Sequence, residues 1–116
     1  MSVKLSDVLQ TQSALYRAVR GAIRAINLKL IGANHHLSEW PIERAGAIYA
    51  LSVTIERADG SEAGECRFTI GMDGACYFDA DDCPLAPCTA EQSECEALLA
   101  DFVARRALQE KSTRAA

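Results

Sequence analysis

Nowhere in the chain is there an apolar run approaching the ~18 to 20 residues that a bilayer span requires, and the opening MSVKLSDVLQ lacks the unbroken apolar core of a secretion signal. Both absences point to a cytoplasmic protein with no membrane partner. Catalytic signatures are missing as well: there is no glycine-rich phosphate loop, no Gly-x-Ser-x-Gly elbow and no His-Glu-x-x-His helix. Histidine is scarce. His35 and His36 are adjacent, and neighbouring side chains seldom face one point, so a turn or loop position is expected for both. No motif around any of the five cysteines suggests an activated nucleophile. The expectation is a chain that is not an enzyme and takes no cofactor.

What is present is ordinary for a globular domain: 116 residues, 49% of them hydrophobic and 24% charged. That length suits one domain over residues 1–116 and allows burial of roughly two thirds of the extended chain's surface. The net charge of −4 hides a division. Lys4, Arg17, Arg20, Arg24 and Lys29 make residues 1–37 basic, residues 38–100 carry most of the acids, and the tail from Asp101 onward is weakly basic. An acidic middle repels nucleic acid and attracts a basic protein surface.

The most structured stretch runs from Ala47 to Asp79 and alternates apolar and polar residues in three bursts joined at Asp-Gly pairs, which predicts a three-stranded antiparallel meander. Tyr49, Leu51, Val53 and Ile55, then Cys66, Phe68 and Ile70, then Cys76 and Phe78 would share one apolar face. The first join, Asp59 to Gly64, is longer than a two-residue hairpin; the second, Met72, Asp73 and Gly74, suits a tight type I′ turn. Before the strands, Leu5, Val8, Leu9, Leu15, Val19, Ala22, Ile23 and Ile26 predict a helix from Ser6 to about Asn27. After them, Thr89 with Gln92 three residues on forms a capping box, opening a helix whose apolar stripe is Cys95, Leu98, Leu99, Phe102, Val103 and Ala107. The tail over 110–116 is expected to fray. The fold class is therefore α+β: helix, three-stranded meander, helix, with the helices packed on one face of the sheet.

Two stretches resist assignment. HHLSEWPIERAG has no clear period, and its Trp40, extended ahead of Pro41, is expected to plug the edge of the core beside the sheet, with an interface anchor as the alternative. Asp81 to Cys88 contains two prolines and is expected to be a connector, neither helix nor strand.

Among chemistry-bearing residues, Cys66 and Cys76 fall in the apolar register of the strands and are expected to pack as small buried hydrophobes. Cys83, Cys88 and Cys95, with His35 or His36, are the one set that folding would have to gather for a metal. They lack the second closely spaced pair of a structural zinc site, so no metal is assigned. A Cys83–Cys88 disulfide is the other option, disfavoured in a reducing cell. Asp79, Asp81 and Asp82 lack the glycine and closing glutamate of a calcium loop, leaving an acidic loop.

Helix, three strands, helix is also the order of the double-stranded RNA-binding domain. Where that family's second helix opens with lysines on phosphates, this chain reads CTAEQSECEALL with Glu91, Glu94 and Glu96. The topology alone transfers no function. The favoured expectation is a small acidic protein-binding module, an inhibitor or adaptor, with the phage type that occupies a basic nucleic-acid-binding surface of a host protein as its specific form. Its partner-binding residues would be Trp40, Glu56, Asp79, Asp81, Asp82, Glu91 and Glu94. The alternatives are nucleic-acid or regulatory binding through the Arg17, Arg20, Arg24 stripe, and a structural subunit whose first helix pairs with its own copy as a homodimer.

Overall fold

Leu15, Ala18, Val19, Ala22, Ile23 and Ile26 recur at three- and four-residue steps, and all six are buried. They form the inner stripe of α1 (Leu5–Lys29), while Arg17, Arg20 and Arg24 lie on its exposed side. The computed structural model of the chain describes residues 5–30, 35–44, 47–71 and 74–115, and side chains at 12–30, 35–42, 50–71 and 74–107. After α1 come β1 (His35–Arg44), β2 (Ala47–Arg57), β3 (Glu62–Ile70), β4 (Cys76–Ala80), β5 (Cys83–Cys88) and α2 (Gln92–Ala115).

The fold is α+β as expected, but the meander has five strands, in the order β1-β2-β3-β4-β5, each antiparallel to the next. The two unassigned stretches are the extra strands, one at each edge. Neither histidine is in a loop, since both open β1.

Alternation divides the strands cleanly. Leu37 on β1, Leu51, Val53 and Ile55 on β2, Cys66 and Phe68 on β3, and Cys76 and Phe78 on β4 face inward and form one buried cluster with both helices. Phe68 and Phe78 lie directly opposite each other, ring centres 5.0 Å apart. From α2 the cluster takes Cys95, Leu99 and Phe102, and Ala107 is exposed. The helices rest against each other as well as over the sheet, so the expected packing of both on one sheet face is only part of the arrangement.

The β2–β3 and β3–β4 joins are closed by the same pair of hydrogen bonds. Arg57 N–H donates to Ser61 O and Gly60 N–H to Arg57 O; Gly71 N–H donates to Ala75 O and Gly74 N–H to Gly71 O. Gly60 and Gly74 sit at φ 86° and 82°, where a side chain is strained, so a left-handed glycine stands at the end of each join. The first loop is longer than a two-residue hairpin, as expected, but it ends ahead of Glu62, where β3 starts, and not at Gly64. Met72 and Asp73, central to the expected type I′ turn, lie outside the described residues, as does the side chain of Tyr49.

The start of α2 also differs. Cys95 N–H donates to Glu91 O, so Glu91 and not Thr89 stands at the N-cap of α2, and the Thr89 hydroxyl bonds the Glu94 carboxylate. Gln92 lies instead against Gly21 of α1, where a Cβ would come within 2.3 Å of its Oε1. At the far end α2 continues to Ala115 through most of the stretch expected to fray.

Candidate functional site

The face of the sheet opposite the helices carries the residues of the other alternation phase. Across its middle run Trp40, Ser52, Arg67 and Asp79, each the register partner of the next. Beside them run Ser38, Thr54 and Glu65, and then His36 with Glu56 and Glu62. Trp40 is 56% exposed here, so it does not plug the core. The inward position next to it is Pro41, paired with Leu51.

The centre of this face is a shallow trough. Ser52 and Thr54 are buried between their register partners on β1 and β3, and Ala50 beside them is buried next to Gln12 and Tyr16 of α1. Ser52 Oγ donates to Glu65 Oε1 at 2.9 Å. Thr54 Oγ1 is buried without a hydrogen-bond partner among the described residues, an orphan group of the kind that costs stability. Around the trough His36 Nε2 is 3.3 Å from Glu56 Oε2, and Arg67 Nη2 is 3.9 Å from Glu65 Oε1. An open cleft of about 510 Å³ adjoins at one end, lined by Glu62, Glu65, Arg67, Asp79 and Asp81 among others.

The expected acidic site is split. Glu56, Asp79 and Trp40 share the outer face, whereas Asp81 and Asp82 lie in the β4–β5 turn and bind α2. Asp81 pairs with Arg106, whose side chain lies over Gly64, and Asp82 Oδ2 accepts from Arg105 Nε at 2.9 Å. Glu91 and Glu94 stand at the other end of α2, about 20 Å away by helix rise. The two aspartates are therefore a latch on the last helix, and replacing them disturbs the fold as well as any surface they present.

The Arg105 hydrogen bond holds the Asp82 carboxyl below its ordinary value of 3.8, and the same bond raises Arg105. A depressed folded value means that the stabilisation is full above 3.8 and is lost as the pH falls through the lowered value. In thermal melts from about pH 5 downward, the wild type is expected to lose more stability than Asp82→Asn, the two converging in acid. Parallel curves would remove the latch.

The basic stripe is partly engaged: Arg20 Nε lies 2.9 Å from Glu39 Oε1, and its guanidinium sits 5.3 Å from the Tyr16 ring centre. Arg17 and Arg24 are exposed.

Among the cysteines the structure gathers a different set from the expected one. Cys88 is opposite Cys76, with Cys95 of α2 close by, whereas Cys83 is opposite Ala80 at the far end of β5. Burial pushes the Cys88 thiol up to about 12 and Cys95 up to about 11, with Cys66 and Cys76 also raised by burial. Thiols held protonated in this way are poor nucleophiles. Among the described residues no group of three or more His, Cys, Asp or Glu is placed to hold a metal ion, and no helix is long and apolar enough to cross a membrane.

No protein family, no curated protein and no solved structure matches this chain.

Proposed function

We propose that the chain is a non-catalytic protein-binding module that docks through the outer face of its sheet. Trp40 is the apolar anchor, and Glu56, Glu62, Glu65 and Asp79 meet a basic partner surface. The partner class is a protein with a cationic groove, of the kind nucleic-acid-handling proteins present and an inhibitor occupies. One observation carries this reading: the sheet face of opposite alternation to the buried cluster holds the chain's single tryptophan 56% exposed beside a trough of small side chains. Buried tryptophan anchors seated among charges are the usual energetic centres of protein interfaces. The charge pattern agrees, because Glu56 and Glu62 stand directly opposite each other, an arrangement that disfavours the free sheet and favours an incoming cation.

Trp40 makes the test direct. Titrating the protein with an arginine-rich peptide is expected to shift tryptophan emission to the blue in a saturable way. A Glu56→Gln, Glu62→Gln, Asp79→Asn variant is expected to bind about tenfold more weakly. Unchanged emission, or equal affinity for the triple variant, sinks the proposal. A DNA duplex run in parallel tests the helix stripe: tight binding that falls steeply with salt and is lost in Arg17→Ser, Arg24→Ser would favour nucleic acid instead.

A further inference from the structure

The edges of a sheet are its most reactive backbone, since an unpaired row of N–H and C=O groups accepts any strand. On β5 two prolines, Pro84 and Pro87, remove donors. On β1, among the described residues, a side chain of α1 covers the edge. Asn27, in the last turns of α1, donates from Nδ2 to Leu37 O at 3.0 Å and accepts from Leu37 N–H at 2.8 Å through Oδ1. A carboxamide that exchanges both bonds with one strand residue does what a residue of a neighbouring strand does.

We propose that the β1 edge is a latent self-pairing surface, closed by Asn27, whose partner is a second copy of this chain. Leu37 turns its backbone groups outward, so by alternation His35 and Glu39 do too. Placing two β1 strands antiparallel about a two-fold axis at Leu37 sets Leu37 against Leu37 and His35 against Glu39. Roughly six backbone bonds form, two for each directly opposed pair. Pro41 falls outside this overlap and does not block it.

Two further observations fit a second copy. Glu39 Oε2 is buried with no hydrogen-bond partner among the described residues, and in the paired arrangement His35 of the other copy is opposite it and donates. An open groove of about 480 Å³ lies between α1 and the same edge, lined by Arg20, Ile23, Arg24, Asn27, Leu37 and Glu39 among others. With Asn27 present, each copy must give up two intramolecular bonds and also lose its freedom of motion on association, which favours the closed monomer.

The test is the mass in solution of Asn27→Ala by light scattering, with circular dichroism as the folding control. The wild type is expected to be a monomer at micromolar concentration and Asn27→Ala a dimer. Asn27→Asp keeps the size of the side chain and the acceptor for Leu37 N–H but loses the donor to Leu37 O; it is expected to dimerise more weakly, and it decides the matter if the alanine variant does not fold. Adding His35→Pro to the Asn27→Ala background removes an outward donor and is expected to restore the monomer. A folded, monomeric Asn27→Ala protein overturns the proposal, as does a dimer that persists with His35→Pro or a wild type that is already dimeric.

Discussion

Phe102→Ala is expected to lower the unfolding free energy by about 3 to 5 kcal/mol, a large share of the ~5 to 15 kcal/mol that a domain of this kind possesses. The ring is wholly buried, in the same cluster as Val53, Cys66 and Phe68 of the sheet and Val19 of α1, and it belongs to the helix the chain adds last. Removing it opens a void between layers that α1 and β3 cannot both close. The cost extends beyond the void, because the Arg106 guanidinium lies 5.8 Å from the ring centre and reaches on to Asp81. A loosened Phe102 site therefore loosens the latch, and Phe102→Ala with Asp81→Asn is expected to cost less than the two separate losses added together. Urea denaturation checks both statements. A loss near 1 kcal/mol for Phe102→Ala would mean that α2 is not seated in the core.

Legibility in the sequence followed periodicity wherever one face met only the core. α1 and the three central strands obeyed that rule, and so were readable. β1 did not, because its inward positions after Leu37 are Glu39 and Pro41. A carboxylate facing the helices breaks the apolar alternation, and it is tolerated only because Arg20 of α1 neutralises it from elsewhere in the sequence. β5 was hidden by its prolines, which exclude a central strand but not an edge strand; Pro87 sits opposite Tyr77 without disrupting the sheet.

The candidate site suffered from the same kind of distance. Asp81 and Asp82 look like a free acidic loop until Arg105 and Arg106, a whole helix later, are folded against them. No local pattern carries that pairing. Cys83 and Cys88 are near in sequence yet sit at opposite ends of one strand, whereas Cys76 and Cys88 are brought together by register. A hairpin assigned between β4 and β5 would have found the second pair. Trp40 was misplaced because missing the period of β1 also meant missing its faces, and the two-residue alternation that buries Leu37 puts Trp40 on the outer side.

That placement makes Trp40→Ala the sharpest functional test, because the core and surface readings of this residue predict opposite things. A core tryptophan cut to alanine costs about 3 to 5 kcal/mol of stability. An exposed one on an edge strand, set opposite Ser52, is expected to cost about 1 kcal/mol or less. Binding should show the reverse weighting. If Trp40 is the anchor of the docking face, its removal is expected to weaken the arginine-rich peptide by about 2 kcal/mol or more, roughly thirtyfold. The substitution removes the chain's only tryptophan, so affinity must be read by calorimetry. Trp40→Phe separates two contributions, since it retains an aromatic surface but no indole N–H, and recovery of most of the affinity would assign the anchor to apolar contact. A variant that melts like the wild type and binds roughly thirtyfold more weakly places the interface on the outer sheet. One that binds like the wild type removes the anchor and leaves the charges of this face without an apolar centre to dock around.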